Sequence, residues 1–452
     1  MVQLSNQPSG QLKRSIGLWS AVAINVGAII GGGIFVVTGI VAGYAGSALV
    51  ISMAIAALIA LFTGLSFVRL TSWQPIEGGV YEYGRQLISP SAGFLAGWMW
   101  IVSNTFTGAA VSLGFAYYLT AVFPSLPSNI LAAIICLLFT ALNLMGTKES
   151  TTANNIFVTI KLAVLTLFII FGALSINSEN FSPFTPFSSG VLFGVFFIFF
   201  AYGGFARVTV IAEEIKNPKR NVPRALLLSL AISAFFYIIV GIVAVGLVGP
   251  KALADSNSPL TTAVGVTGST IAVGLLSLGG LVATASVLFT SILGVSRMSY
   301  SMARRNDLPQ VLAKLHNKFA TPYYSILLTG ILMAVLALVL DLTRVVAVST
   351  FTLIFNYSIA NLSCFRLKVN QTRQHILPLI GLGTCVLLLI LIFFAAIDSA
   401  IVGLIFLAVG AIIYGIRKKL FRAPSTLTQA RIDKQPSQNN ADTNVEAPSI
   451  EI

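Results

Sequence analysis

The chain has 452 residues, of which 56% are hydrophobic and only 9% charged, and its mean hydropathy is +0.91. A soluble domain carries about 25% charged residues, so soluble enzymes and globular binding modules are excluded and an all-α integral membrane protein is indicated. The net charge of +13 does not point to nucleic acid, because its distribution along the chain follows a topology pattern instead.

Apolar runs long enough to cross a hydrocarbon core of about 30 Å recur along nearly the whole length. Twelve spans are read, at about 16–42, 47–69, 92–122, 128–147, 153–175, 189–212, 222–248, 271–301, 322–341, 344–365, 376–396 and 399–416. With this count and a cytoplasmic N-terminus, only Lys251 and Arg344 of the 27 Lys and Arg fall outside, while Lys161 and Arg207 lie within spans. That is the positive-inside bias, and shifting the count by one would scramble it. Residues 1–15 are then a cytoplasmic segment, 16–422 the membrane domain, and both termini are cytoplasmic.

The first span follows Lys13-Arg14, but its apolar stretch exceeds the 7–15 residues of a signal-peptide core and is read as a true span. Within it lies Gly27-Ala28-Ile29-Ile30-Gly31-Gly32-Gly33-Ile34-Phe35. Each glycine weakens a helix by roughly 1 kcal/mol relative to alanine, so this cluster invites unwinding. Inside a bilayer, unwound backbone is tolerated only where it lines a cavity or is buried in protein. The loop after span two carries Pro75-Ile76-Glu77-Gly78-Gly79-Val80-Tyr81, and the outer loop between spans three and four is Phe123-Pro124-Ser125-Leu126-Pro127-Ser128.

Span five places Lys161 about two turns from its start, roughly 12 Å along the helix axis. A charge there costs about 2.5–3.5 kcal/mol unless the side chain snorkels to the surface. Burial disfavours the charged form, which would make this lysine able to gain and lose a proton. Span six carries the second glycine cluster, Phe199-Phe200-Ala201-Tyr202-Gly203-Gly204-Phe205, followed by Arg207. No acidic residue lies deep in a span to pair with Arg207, so the cytoplasmic vestibule or backbone carbonyls are its expected partners. Glu213 and Glu214 end this span beside Lys216, Lys219 and Arg220, and either form an inner-gate ion-pair network or are solvated loop charges.

The largest inner connection, 296–322, includes Arg304-Arg305-Asn306-Asp307-Leu308-Pro309. Spans eight and ten carry Thr284, Ser286, Thr290, Ser291, Asn356, Ser358 and Asn361, for which polar helix packing is the commoner role. Cys136, Cys364 and Cys385 lie in or at the ends of spans, and His316 and His375 in inner loops. They suggest neither disulfides nor a metal site. The tail, 423–452, is rich in Ser, Asn, Gln, Pro and acidic groups and is expected to be disordered.

Paired breaks at matching places in two halves point to a transporter's substrate site, whereas a single one would point to close helix packing. The start of a second half-helix offers free N–H groups and a positive dipole end, suited to a carboxylate. The end of the first offers free carbonyls, suited to an ammonium. One break thus provides both partners that a zwitterionic amino acid needs.

The two breaks, the Pro75–Tyr81 segment and the run Glu213-Glu214-Ile215-Lys216-Asn217-Pro218-Lys219-Arg220-Asn221-Val222-Pro223, in this order and spacing, resemble the amino acid–polyamine–organocation superfamily. The resemblance covers spans one to ten. It implies the leucine-transporter-type fold: a 5+5 inverted repeat of about 16–176 and 189–367, discontinuous helices 1 and 6, and extra helices at about 376–396 and 399–416. It implies that Gly32 and Gly33, with Gly31 beside them, offer amides to a substrate carboxylate and Ile29 a carbonyl to its ammonium. Ala201 and Gly203 would line the same pocket, Phe200 would be an aromatic gate, and Glu213 a gate residue at the inner end. Lys161 resembles the fifth-helix lysine of proton-coupled relatives.

The expected function is therefore secondary active amino acid transport, with proton-coupled uptake by alternating access at the plasma membrane. The small residues at the breaks lean toward neutral or broad preference. Ala206 stands where arginine–agmatine exchangers of the superfamily carry an acidic residue, which weakens a cationic substrate. An amino acid exchanger is the alternative, although the outer loop 123–128 lacks the cysteine that would join a heavy chain. A membrane enzyme or sensor is remote: no paired carboxylates, His cluster or nucleophile with its base lies in the spans, and no soluble output domain is visible. A channel is disfavoured by the lack of a filter-like loop. No catalytic residue, metal or cofactor is expected.

Overall fold

The computed structural model describes residues 16–75, 78–121, 123, 125–146, 151–319, 321–367 and 375–420. The N-terminal segment 1–15, the loop residues Ile76 and Glu77 and the tail 423–452 lie outside the described residues, as does the side chain of Glu213.

Among the described residues the chain is helical, with only one isolated backbone bridge of extended type, Ile16 to Ile215. In chain order the helices are α1 (Leu18–Ile29), α2 (Gly32–Ala45), α3 (Leu49–Trp73), α4 (Val80–Leu87), α5 (Pro90–Thr120), α6 (Ser128–Leu144), α7 (Thr151–Ala173) and α8 (Ser189–Tyr202). They continue as α9 (Arg207–Val210), α10 (Pro218–Ala254), α11 (Pro259–Gly265), α12 (Thr270–Arg304), α13 (Tyr323–Val339), α14 (Leu342–Arg366), α15 (Ile376–Ala395) and α16 (Ile397–Leu420). Helices and no open sheet are what a bilayer permits, since every backbone polar group must be satisfied within the protein.

Eight helical stretches are long and apolar enough to cross a membrane, the first of them running from Leu18 to Trp73 through α1, α2 and α3. Two shorter apolar helices, α6 and α13, accompany them. The 31-residue α5 is long enough as well, but Ser103, Asn104, Thr105 and Thr107 interrupt its apolar character. The protein is a multi-pass membrane protein.

Helix ends gather at two poles. At one, Ile16 and Glu214 exchange backbone bonds with their neighbours (Ile16 N to Glu214 O, 3.1 Å; Lys216 N to Ile16 O, 2.9 Å). There α4 also meets the end of α12 through Arg85 and Asp307. At the far pole, the Ser47 hydroxyl donates to Pro183 O at 2.6 Å and the Asn180 amide to Gly246 O at 2.8 Å. In between, α5 packs on α12 and α14, α3 on α10, α2 on α8, and α6 on α13. The most enclosed stretches are α14 and Ser189–Thr209, whereas α15 and α16 are the least buried. The latter two expose Leu379, Leu387, Phe394, Ile405 and Ile412, an apolar surface that suits lipid rather than water.

Candidate substrate cavity

The first glycine cluster breaks its helix. Ile30 N closes the last turn of α1 on Val26 O at 2.7 Å, and Gly31 N turns back to Ile29 O at 2.8 Å. Gly31 is extended (φ −124°, ψ −150°), and α2 begins at Gly32 with no side chain capping its first amides. In a continuous helix Gly31 N would bond Gly27 O. That carbonyl is instead released, and the Lys161 ammonium donates to it at 3.0 Å. Lys161 is 1% exposed, so its amino group sits on the broken helix rather than snorkelling to the surface. The α7 backbone comes close because Gly27 has no side chain: a Cβ there would lie 2.7 Å from Val158.

The second cluster behaves differently. After α8 the chain tightens into a 3₁₀ turn, Gly203–Ala206, and continues into α9 with right-handed helical dihedrals (Gly203 φ −55°, ψ −18°). It is wound rather than opened, which departs from the expectation of two unwound segments. The reason is a set of polar side chains from distant helices. The Asn25 amide donates to Phe205 O at 2.8 Å, and its carbonyl accepts from Val208 N at 3.0 Å. The Tyr357 hydroxyl donates to Gly203 O at 2.5 Å. The Tyr237 hydroxyl serves both segments, contacting Ile29 O at 2.7 Å and Ala201 O at 3.0 Å. The Ile29 carbonyl therefore already accepts from Gly31 N and Tyr237, and a ligand ammonium would have to displace one of them.

Small residues let the two segments touch. A Cβ on Gly33 would come within 2.6 Å of the Ala201 Cα, and one on Gly204 within 2.7 Å of Ile29 N. Between them lies a cavity with about 960 Å³ of open space, its mouth included. Ile29, Gly31, Gly32, Gly33, Phe200, Ala201 and Gly203 all line it, so the residues expected at a substrate site are brought to one place. Lys161 is not on the wall; it stands behind it, on Gly27. From α5 the wall takes Trp100, Asn104 and Thr107, from α9 Arg207, from α12 Ser291, and from α14 Asn356 and Tyr357. The Ser291 hydroxyl and the Asn356 carbonyl oxygen are buried without a hydrogen-bond partner. Arg207 donates from Nη1 to Thr290 O and from Nη2 to Thr290 Oγ1, each at 3.4 Å.

At the α4 pole the cavity is bordered by Gly78, Gly79, Val80 and Tyr81. Gly78 and Gly79 have φ of 95° and 54°, left-handed conformations that favour glycine and turn the chain into α4. Here an ionic cluster forms that sequence reasoning did not find. Asp307, whose side chain is fully buried, pairs with Arg85 at 2.9 Å, with Arg417, and accepts from the Tyr81 hydroxyl. Glu82 pairs with Arg305 at 2.5 Å, and Arg85 and Arg305 lie 5.5 and 5.6 Å from the Tyr81 ring centre. Burial, then the bonded Asp307 carboxylate, push the Tyr81 phenol above its ordinary range. The turn that aims Asp307 is a helix C-cap. Asn306 is left-handed (φ 59°), with Asp307 N bonded to Met302 O at 2.8 Å and Asn306 N to Ala303 O at 2.9 Å, a Schellman pattern. The signal available in the sequence was an acidic residue inside the basic run 304–309.

Among the described residues, no group of three or more His, Cys, Asp or Glu is placed to hold a metal ion. The three cysteines are buried and unpaired.

The sequence matches the family model described as "Amino acid permease" over residues 16–416. It is 33% identical to an uncharacterized transporter of Mycobacterium tuberculosis over 416 residues, covering 91% of this chain and 93% of the relative. It is 34% identical to the methylthioribose transporter of Bacillus subtilis over 349 residues, 73% of this chain and 76% of that one. A branched-chain amino acid permease of Bacillus subtilis is 30% identical over 373 residues, covering 77% and 80% of the two chains.

Proposed function

On the premise that this chain belongs to the amino acid permease family, a family of transporters and not of enzymes, we propose that it is a secondary active amino acid transporter working by alternating access. The observation that carries this reading is the cavity wall at Gly31–Gly33. The first amides of α2 have no side-chain cap and open onto this cavity. A helix N-terminus of this kind binds a carboxylate. Phe200 covers the bound amino acid as a gate, and Ala201 and Gly203 complete the pocket.

Coupling is assigned to the proton. With its ammonium on Gly27 O, protonated Lys161 ties the broken end of α1 to α7. Loss of the proton leaves a neutral amine, a weaker donor without the charge that strengthens the bond, and loosens that end. The membrane domain spans 16–422 with twelve crossings, counting α1–α2, α3, α5, α6, α7, α8–α9, α10, α12, α13, α14, α15 and α16. The 5+5 repeat is supported by order: α3, α4, α5 and α10, α11, α12 each set a short helix between two long ones. It is supported too by the packing of α3 on α10, α5 on α12 and α6 on α13. The weight of Lys and Arg at the α4 pole supports a cytoplasmic orientation for that pole, and the proposed location is the plasma membrane with cytoplasmic termini. The cavity reaches this pole, and the Asp307 cluster holds the α4 segment at its border.

The test is uptake into proteoliposomes. Accumulation of amino acids driven by an inward proton gradient is expected. Counterflow without net uptake would establish the exchanger alternative. The name of the methylthioribose relative supplies a second reading, a sugar-like cargo without a carboxylate. Binding of methylthioribose with no binding of any amino acid would replace the amino acid reading.

A further inference from the structure

We propose that Ser291 and Asn356 are specificity-determining residues of the cavity, and that they select an amino acid whose side group carries a neutral hydrogen-bond donor, a hydroxyl or a carboxamide. This rests on the amino acid reading and adds the class of side chain.

Both residues stand one helical turn beyond a contact with a glycine segment. On α12, Val287 packs directly against Gly31, and Ser291 follows four residues later on the same face, about 6 Å along the axis. On α14, a Cβ on Gly203 would meet Leu353 Cδ2 at 2.6 Å, and Asn356 follows three residues later, about 4.5 Å along the axis. All four side chains line the cavity. The side group of an amino acid whose α-carboxylate sits on the first amides of α2 would project along this wall.

Neither side chain rests where its neighbours do. Ser277, Thr284, Ser286, Thr290 and Ser296 of α12 turn their hydroxyls back onto carbonyls three or four residues earlier, a common arrangement for a helical hydroxyl. The Ser291 hydroxyl does not, and it is buried without a hydrogen-bond partner. Asn104 and Asn361 likewise send their amide nitrogens back one turn, whereas Asn356 reaches across to Ala96 O at 2.8 Å. That bond fixes which end of the Asn356 amide is nitrogen. The atom left buried and without a partner is therefore the carbonyl oxygen, which can only accept.

A buried acceptor without a donor costs free energy. A ligand N–H or O–H removes that cost where a methyl group does not. The Ser291 hydroxyl can donate or accept, so it can meet either end of a carboxamide. A basic side chain would find only neutral oxygens at these two places, which compensate little of the desolvation of a full charge.

The experiment measures binding of glutamine, methionine, threonine, valine and lysine to the purified full chain in detergent, together with its melting temperature. The wild type, Ser291→Ala and Asn356→Ala are compared. The wild type is expected to bind glutamine about tenfold more tightly than methionine, threonine more tightly than its isostere valine, and lysine less tightly than glutamine. Each substitution should shrink the glutamine-to-methionine ratio several-fold. Ser291→Ala should melt no lower than the wild type, since the hydroxyl it removes has no partner to lose. If bound water satisfies these oxygens instead, glutamine and methionine bind alike and Ser291→Ala lowers the melting temperature, which overturns the proposal. A ratio unchanged in either variant overturns it as well, and so does a wild type that prefers lysine to glutamine. The wild-type ratio decides the matter even where Asn356→Ala does not fold. A wild type that binds no amino acid overturns the amino acid reading itself, which is a distinct result.

Discussion

The glycine clusters at 27–33 and 203–204 look alike in sequence, yet one helix opens and the other only tightens. At the first, Gly31 leaves helical dihedrals and the amides of α2 go uncapped. At the second, Asn25 satisfies an amide and a carbonyl on the same turn, and Tyr357 takes the Gly203 carbonyl. Glycine lowers the cost of leaving the helix, but the neighbours decide whether the chain leaves it. Where distant side chains bond the loosened groups, the backbone stays wound as 3₁₀. Where a lysine side chain reaches a carbonyl, as Lys161 reaches Gly27, the carbonyl half is satisfied while no side chain caps the amide half.

Replacing Lys161 with Ala should have the largest effect, because it withdraws the donor on which the open break depends. A hydrogen bond to a charged group contributes about 1.5–3 kcal/mol, a factor on the order of ten to a hundred. Proton-driven accumulation should fall by that much and lose its pH dependence. Uptake that keeps both would remove Lys161 from the coupling step.

Next in size is Gly33→Val, which forces a branched side chain against Ala201, where even a Cβ would meet the Cα at 2.6 Å. Overpacking of this kind costs about 1–3 kcal/mol. Amino acid binding should drop on the order of tenfold or more, as followed by isothermal titration. Retained affinity would show that the two segments do not need to touch.

Asn25→Ala should act on the wound segment. Two backbone groups lose their partner, at about 1–3 kcal/mol each, and hydrogen exchange at Phe205–Val208 should speed up. Exchange at Gly32 and Gly33 is the control, since those amides do not use Asn25. Equal acceleration at both sites would dissolve the contrast between the breaks.

Tyr237→Phe should be the mildest, at about 1 kcal/mol, because both carbonyls that it serves, Ile29 and Ala201, can find water in the cavity. A small drop in melting temperature with slightly tighter ammonium binding at Ile29 is expected. A collapse of folding would mean that Tyr237 is a structural pillar rather than an adjustable contact.

Much of this was legible in the sequence because it depends on local composition. Apolar length marks the spans, glycine density marks the weak turns, and a lysine two turns into an apolar helix stands out by its cost. The seven residues expected at the pocket came from the family resemblance, and they line one cavity. The parts that escaped depend on partners far away in the chain. Asn25 bonds residues about 180 positions on, Tyr237 reaches back across 208, and Asp307 draws together α4 and α16. Nothing near Asn25 or Tyr237 in sequence distinguishes them from ordinary polar residues in a membrane helix.

The sequence alone therefore determined a helical membrane protein with two weak helical turns and a buried lysine, since hydrophobic length and glycine content act over a few neighbouring residues. Only the tertiary structure decided which weak turn opens, what occupies each released carbonyl, and that Arg207 faces the same cavity as Gly31–Gly33. Those outcomes depend on which side chains packing brings within about 3 Å, and no local pattern encodes that distance.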